Sequence, residues 1–223
     1  SGYWISDMKI LSLYYLKGVP DVDIVITTNE LAKLINDREV RFEATHHNAK
    51  YDEPLGEGTG AAVIFGATGG VMEAALRTAA DTLAGKPVDA IEYRAVRGMK
   101  GIKAASVEIN GMNINVAVAS GLANTNQLLT SIKNGEADDQ FVEIMACPGG
   151  CVNGGGQPHQ LAQTRMVTNV PAARAEALYG NDQKAKVRKS HENPAIIKLY
   201  DEYLGKPGSA RVHELLHTTY KPR

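Results

Sequence analysis

The sequence has little of what builds secreted scaffolds, membrane proteins or nucleic-acid-binding proteins. Only 2 of its 223 residues are cysteine, which excludes a disulfide scaffold and favours a reducing compartment. We therefore expect a cytoplasmic protein, with a periplasmic or organellar location left open. The 24 basic and 25 acidic residues nearly cancel, so we expect no nucleic-acid partner. The apolar run at 10–16 is too short to span a bilayer, and we expect no membrane partner either.

Glycine is more frequent than usual, with 22 residues, and its clusters separate the predicted elements. An apolar run at 61–65, glycines within 66–70 and helix-forming residues at 71–83 are typical of a strand, a turn and a helix. Thr27 and Glu30 have the spacing of a capping box at the start of a helix. Further strands are predicted at 21–26, 90–97, 102–109, 112–119 and 141–145, and helices at 31–37, 121–133, 172–179, 184–190, 195–204 and 211–217.

These elements predict an α/β fold. Its central sheet is expected to be mostly parallel, with about four strands flanked by helices and with a helical C-terminal tail. We expect a single lobe over residues 1–223, with an α/β core at 1–160 and the helical tail at 161–223. No internal repeat or long linker in the sequence requires a domain boundary.

The glycine turn after residue 65 also allows a nucleotide-binding interpretation. Backbone N–H groups at a helix N-terminus can bind phosphate, and glycine permits its close approach. However, Met72 occupies the position of the third glycine in a G-x-x-G-x-x-G variant, and no Walker lysine follows the turn. We therefore favour a tight strand-to-helix turn with no bound nucleotide.

Both cysteines, Cys147 and Cys151, lie in one glycine-rich segment after the last predicted strand. Glycines at 149, 150 and 154–156 would let the backbone wrap an inorganic cluster and direct N–H groups at its sulfur atoms. The spacing fits neither paired C-x2-C zinc knuckles nor a C-x-x-C redox motif. We favour an iron–sulfur cofactor over two ordinary thiols or a loop disulfide. A cubane needs about four thiolates, so the other ligands must come from elsewhere.

Two other patterns allow different functions. Residues 213–217 spell a zincin-like H-E-x-x-H string, but its position close to the C-terminus favours a polar pair on a docking helix. The basic residues within 184–189 are typical of a solvated helix face, with contact to an acidic electron donor as the alternative.

The segment 145–158, with the sequence MACPGGCVNGGGQP, resembles the third cysteine signature of the FeFe (iron-only) hydrogenases. Stretches at 21–31, 64–77, 190–194 and 215–218 extend the resemblance from about residue 21 to the C-terminus. The resemblance implies the C-terminal lobe of the catalytic H-cluster domain, in an oxidoreductase that reversibly oxidises H2 to protons and electrons. The implied cofactor is a 4Fe–4S cluster joined to a di-iron centre.

The same resemblance implies roles for individual residues. Cys147 would be a cubane ligand and Cys151 the ligand that bridges the cubane and the di-iron centre. Met145 would line the di-iron pocket, so Cys151 and Met145 are the expected catalytic residues. Phe65 and Gly66 would border the diatomic ligands of the di-iron centre.

The family's two earlier cysteine signatures are not found, and residues 7–15 contain no cysteine where the second would be expected. The resemblance therefore implies a missing N-terminal lobe as partner and a ferredoxin-like electron donor. The isolated chain is expected to be inactive, because two thiolates are not expected to hold the H-cluster stably when this lobe is absent. A non-catalytic iron–sulfur protein of the Narf-like assembly type is the second hypothesis, and a cofactor-free lobe with a structural role is the third. The block at 69–73 favours the hydrogenase.

Overall fold

A mixed three-stranded sheet lies at the centre of the residues that the computed structural model describes, which are 24–41, 58–89 and 92–216. Strand β1 (Ile102–Ile109) pairs antiparallel with β2 (Met112–Ser120), and β2 pairs parallel with β3 (Phe141–Met145). Asn110 and Gly111 have the positive φ values of a two-residue hairpin turn. The strands predicted at 102–109, 112–119 and 141–145 are thus confirmed.

Helices flank this sheet, and between β3 and residue 216, where the described part of the chain ends, every regular element is helical. The α-helices that the structure describes are α1 (Thr28–Asp37), α2 (Gly60–Val63), α3 (Gly70–Ala84), α4 (Leu122–Lys133), α5 (Ala162–Val167), α6 (Val170–Lys184), α7 (Pro194–Leu199) and α8 (Ala210–Leu216). None of these helices is long and apolar enough to cross a membrane. The α/β class with a helical C-terminal part is confirmed.

Helices α3 and α4 cover opposite faces of β2. Val116 and Val118 point to one face and pack against Met72 and Leu76 of α3. The alternate positions of the strand, including Ala117, face the cluster that contains Leu128 of α4. Strand β2 is therefore buried on both sides near its C-terminal end, which is where β3 begins to pair with it.

The segment 61–65, predicted as a buried strand, is helical instead. Helix α2 ends at Val63 and a 3-10 turn continues over Ile64–Gly66. Ala61 and Ile64 are fully buried, whereas Val63 and Phe65 are partly exposed. Burial every third residue is the pattern of a helix, and an apolar run this short does not distinguish the two structures by composition alone.

Two further predictions of secondary structure were wrong. Residues 94–96 of the strand predicted at 90–97 form a 3-10 turn, and residues 90–91 lie outside the described ranges. The helix predicted at 184–190 does not form, because α6 ends at Lys184 and the chain continues without helix to a 3-10 turn at Ser190–Glu192.

The first helix begins as its sequence predicts. Thr27 Oγ1 accepts a hydrogen bond from the Glu30 backbone N–H at 3.2 Å, and Glu30 Oε2 accepts one from the Thr27 backbone N–H at 2.7 Å. This is the reciprocal capping box. Residues 24–27 form no strand, and residues 21–23 of the strand predicted at 21–26 lie outside the described residues.

Buried ion pairs hold the C-terminal helices against α3. Arg77, which has no exposed side-chain surface, donates to both oxygens of Asp182 on α6 at 2.7 and 2.8 Å. Asp182 also accepts from Arg188 at 2.6 Å, and Lys189 binds Asp81 of α3 at 2.7 Å. The sequence predicted that Arg188 and Lys189 lie on a solvated helix face, and this prediction is wrong because both residues form salt bridges.

Candidate functional site

The two cysteines flank a tight loop at the C-terminal end of β3. Cys147 is half-buried, Cys151 is exposed, and no disulfide joins them. The Gly150 N–H donates to the Cys147 carbonyl at 3.0 Å, and a 3-10 turn over Cys151–Asn153 follows. The loop disulfide considered from the sequence is not formed, and Cys151 is the more exposed of the two cysteines.

Glycine is required at the centre of this loop by both conformation and space. Gly149 and Gly150 have φ values of +81° and +92°, a region that other residues rarely adopt. A Cβ atom on Gly150 would lie 2.7 Å from the Thr68 backbone nitrogen and 2.8 Å from the Gly66 carbonyl oxygen. The loop therefore packs backbone against backbone on residues 66–68.

Two hydrogen bonds fix Gly149 against this support. The Thr68 N–H donates to the Gly149 carbonyl at 3.1 Å. The Gly149 N–H donates to Ser120 Oγ, at the end of β2, at 3.3 Å. Because the turn before α3 and the end of β2 carry the two partners, the position of the cysteine loop depends on the packing of the core.

The structure brings some of the predicted site residues to this loop and leaves one beside a groove. Gly66 lies against Gly150, and the Met145 carbonyl accepts a hydrogen bond from Gly121 at 2.8 Å. Met145 is half-buried at the last position of β3. Phe65 is 45% exposed and lines an apolar groove of about 580 Å³ along α3. Gly66 and Gly150 thus pack against each other, and the side chains nearest to Gly66 are those of Leu178 and Val152, whereas Phe65 lines the groove along α3.

The turn that starts α3 already contains an internal anion. Both oxygens of Glu143, which is only 6% exposed, accept backbone N–H groups, from Gly69 at 2.6 Å and from Met72 at 2.7 Å. A Cβ on Gly69 would lie 1.9 Å from the Val96 carbonyl oxygen, so this glycine permits a close backbone contact. The nucleotide interpretation is therefore disfavoured, because a carboxylate of the protein fills the place that a phosphate would take.

A buried lysine lies on the other side of the same turn. Lys103 of β1 is 7% exposed, and its Nζ donates to the Thr68 carbonyl at 3.0 Å and to the Gly98 carbonyl at 2.9 Å. Burial lowers the pKa of Lys103 to about 8, although the negative charge of Glu143 acts in the opposite direction. Sequence analysis assigned no role to Lys103 or Glu143. The signal available was the single charged residue of β3, Glu143, whereas β1 contains both Lys103 and Glu108 and its pattern singles out neither.

The loop fits the chemistry of an iron–sulfur group. Soft thiolate ligands suit iron in such clusters, and the two cysteines are held four positions apart with only small residues and Pro148 between them. The collisions that a Cβ on Gly150 would cause show that the loop has no room for larger side chains. Two thiolates are half of the set that a cubane needs, so the described residues provide part of a site.

A cavity beside the loop is lined by neither cysteine. It has a volume of about 680 Å³ and adjoins the loop on its C-terminal side, where Gln157, His159, Arg165 and Arg174 are among its lining residues. Arg174 donates to the Val152 and Pro158 carbonyls at 2.9 and 2.7 Å. The guanidinium is thereby engaged in holding the loop in place.

Other possible metal ligands are less suitable. Among the described residues, ligand atoms of Asp81, His191 and Glu192 lie within 4.8 Å of one another. Lys189 Nζ already binds both Asp81 oxygens at 2.9 and 2.7 Å, so a cation would have to displace an ammonium group. His213 of the zincin-like string lies on α8, and the remaining histidine of that string lies outside the described residues.

Comparison with protein families matches nearly the whole chain to hydrogenases. Residues 11–155 match the family described as iron only hydrogenase large subunit, C-terminal domain. Residues 168–223 match the family described as iron hydrogenase small subunit. The boundary between the two matches falls in the exposed stretch that contains α5.

Individual relatives include both hydrogenases and iron–sulfur assembly proteins. The chain is 49% identical over 204 residues to Iron hydrogenase 1 of Clostridium pasteurianum, covering 92% of this chain and 35% of that protein. It is 33% identical to cytosolic iron-sulfur assembly component 3 of Bos taurus, covering 90% of this chain and 41% of that protein. The chain thus spans about a third of the length of the hydrogenase relative.

The fold is similar to that of solved hydrogenase structures. A variant of the [FeFe]-hydrogenase HydA1 from Chlamydomonas reinhardtii superposes with a TM-score of 0.73 at 38% sequence identity. The match covers 97% of this chain and 60% of that protein. The fold of this chain therefore corresponds to part of a longer chain in that structure.

Proposed function

Because this chain belongs to the iron-only hydrogenase family, we propose that it is the C-terminal part of an FeFe hydrogenase and that Cys147 and Cys151 ligate its iron–sulfur cofactor. The reaction is the reversible oxidation of H2 to two protons and two electrons. The observation that carries the proposal is the cysteine loop itself, with one exposed and one half-buried thiol over a glycine backbone that leaves no room for other side chains.

Different residues of the chain would bind different parts of the cofactor. Cys147 would ligate the 4Fe–4S cluster, and Cys151 would be the ligand shared with the di-iron centre. When bound, this cofactor would supply the iron at which H2 reacts and would pass electrons between H2 and the electron-transfer partner. Met145 would exclude water from the pocket, and Gly66 would allow the backbone to approach the cofactor closely. Phe65, which lines the groove along α3, is not assigned this role.

The rest of the site comes from an N-terminal lobe. Two thiolates are too few for a cubane, and the hydrogenase relative is about three times as long as this chain. The N-terminal lobe supplies the other ligands and closes the site, and a ferredoxin-like protein supplies electrons. The low cysteine content of this chain favours a cytoplasmic location, and its nearly balanced charge favours no nucleic-acid partner for this part of the protein.

A role in iron–sulfur assembly is the alternative. The assembly factor from Bos taurus is 33% identical to this chain, so the fold alone does not separate the two functions. The higher identity to Iron hydrogenase 1, 49%, favours catalysis. The glycine turn and the following Val71, Met72 and Glu73, retained as in the hydrogenases that the sequence resembles, favour it as well.

Ligand substitution in the complemented protein tests this proposal. Cys147→Ser and Cys151→Ser, each in a protein that includes the N-terminal lobe, are expected to lose most of their iron and sulfide, because serine is a poor ligand for such clusters. Thr130→Ser on α4, a substitution distant from the loop, is the control and is expected to keep its iron. Unchanged iron and sulfide in both cysteine variants would refute the ligand assignment.

Activity of the chain by itself is the second test. With reduced viologen as electron donor, the isolated chain is expected to evolve no H2, and the N-terminal lobe is expected to restore activity. Robust evolution by this chain alone would contradict the incomplete site. Cluster binding without H2 evolution in the complemented protein would favour the assembly function.

A further inference from the structure

Two supports of the cysteine loop meet at one ammonium group. The first support is Thr68, whose N–H donates to the Gly149 carbonyl at 3.1 Å. The second is the turn at Gly98, which places Met99 beside the loop, since a Cβ on Gly149 would lie 3.2 Å from Met99 Sδ. Lys103 Nζ donates to the Thr68 carbonyl at 3.0 Å, to Thr68 Oγ1 at 3.3 Å and to the Gly98 carbonyl at 2.9 Å.

The buried environment of Lys103 indicates that its ammonium group has a specific structural role. A lysine ammonium is rarely buried without a partner, because transfer from water disfavours the charged form. Here three oxygens surround it, two of them backbone carbonyls from separate segments of the chain. An apolar residue of the same size would fill the space but would leave both carbonyls without this donor.

Glu143 secures the other end of the same segment. Its carboxylate holds the N–H groups of Gly69 and Met72, while Lys103 holds the carbonyl and hydroxyl of Thr68. Opposite charges therefore fix consecutive residues of the turn on which Gly150 packs. Thr68 lies at the junction of these contacts and is itself only 1% exposed.

We propose that Lys103 is a positioning residue, which fixes the shape of the loop at 147–151 through Thr68 and Gly98 and thereby sets how Cys147 and Cys151 are presented. The inference rests on the proposed function only for the identity of the group that the thiols bind. Lys103 acts through the backbone of its neighbours, so its removal loosens the loop before it affects the thiols themselves.

Amide hydrogen exchange on the metal-free protein tests this role directly. Lys103→Met keeps the length of the side chain and removes all three donated bonds. We expect the amides of 66–72 and 147–154 to exchange about tenfold faster, while the amides that pair β1 with β2 keep their rates. Lys133→Met, at the exposed end of α4, is the matched control and is expected to change neither region.

A milder variant covers the case in which Lys103→Met does not fold. Thr68→Val removes the hydroxyl acceptor and leaves the backbone contacts, so we expect an increase of about threefold in exchange at 147–154. Unchanged exchange at the loop in a folded Lys103→Met or Thr68→Val protein would overturn the proposal. A uniform increase over the whole sheet would also overturn it, because it would indicate general stabilisation only.

Cluster retention gives a second readout that depends on the iron. In the protein complemented with the N-terminal lobe, Lys103→Met is expected to release iron to a chelator at least about threefold faster than Lys133→Met, with an altered electron paramagnetic resonance spectrum. If the unsubstituted protein binds no iron, the proposed function fails, and the exchange result still decides the role of Lys103. If the unsubstituted protein binds iron and Lys103→Met matches it in exchange, release and spectrum, only the present inference fails.

Discussion

Asp182 is the residue whose neutralisation should most clearly weaken the attachment of the C-terminal helices. Its carboxylate, which is fully buried, accepts two bonds from Arg77 at 2.7 and 2.8 Å and one from Arg188 at 2.6 Å. Asp182→Asn keeps the shape but removes the negative charge from between two guanidinium groups. Removing one partner of a buried ion pair costs about 3–5 kcal/mol, because the remaining charge is left poorly compensated.

The assay is urea unfolding of the purified protein, followed by circular dichroism. For a chain of this size the expected loss lowers the unfolding midpoint by about 1–2 M. Glu202→Gln, which breaks the exposed pair between Lys198 and Glu202 at 3.9 Å, is the control, with an expected loss below about 1 kcal/mol. A loss below about 1 kcal/mol for Asp182→Asn, with an unchanged m-value, would refute the importance of the buried pair.

The pH dependence of stability gives an independent check on the same carboxylate. Burial raises the pKa of Asp182, but the hydrogen bonds and charges of Arg77 and Arg188 outweigh it and hold this pKa below its ordinary value. A depressed carboxyl pKa contributes stability above the pKa of the unfolded chain, about 4, and this contribution is lost as the pH falls through the folded value. Asp182→Asn should therefore show a smaller loss of stability below about pH 4 than the unsubstituted protein.

Two further predictions concern the cysteine loop and the lysine beneath it. Gly150→Ala should reduce stability and cluster binding far more than Gly208→Ala. Both glycines have a positive φ, but of the two only Gly150 has backbone atoms within 3.0 Å of the added Cβ. Equal losses of thermal stability and of iron content in the two variants would contradict this prediction. The pKa of Lys103 is about 8 in the folded protein and about 10.4 in an unfolded chain, so the unfolded state binds more protons between these two pH values. As the pH is raised from about 8 to about 10.4, the free energy of unfolding should therefore increase by up to about 3 kcal/mol from this group. Subtracting the stability curve of Lys103→Met, measured by denaturation over the same pH range, isolates this rise, and a flat difference would contradict it.

The sequence was sufficient where local chemistry determines structure. The capping box at Thr27, the Asn110–Gly111 hairpin and the crossover helix that ends at Lys133 all form close to their predicted positions. Each depends on contacts between residues near in the chain, so the local pattern contains the necessary information. The cysteine loop was located for the same reason, because its glycines and thiols lie within one short segment.

The sequence was insufficient where burial and charge are determined by distant segments. The apolar run at 61–65 was predicted as a strand, yet contacts between α2 and α6 make it helical. Lys189 was predicted to be solvated, yet it is bound by Asp81, which lies 108 positions earlier. Lys103 and Thr68 are 35 positions apart, and nothing in either local sequence indicates their contact. Long-range polar pairs carry no periodic pattern, so only the fold reveals them.

Residues 168–223 match a separate small-subunit family, and helix α6 within this match packs against the cysteine loop of the candidate metal centre. Arg174 of α6 donates to the Val152 carbonyl, within the turn that Cys151 begins. Leu178 of the same helix lies so close to Gly66 that a Cβ there would be 2.7 Å from its Cδ1 atom. Helix α6 therefore contacts the turn after Cys151 through the Arg174 guanidinium, and it contacts Gly66, on which the loop packs, through the Leu178 side chain. Since Asp182 anchors this helix to α3 three turns into its length, a change at that buried pair should reach the thiols through α6 even though it touches neither of them.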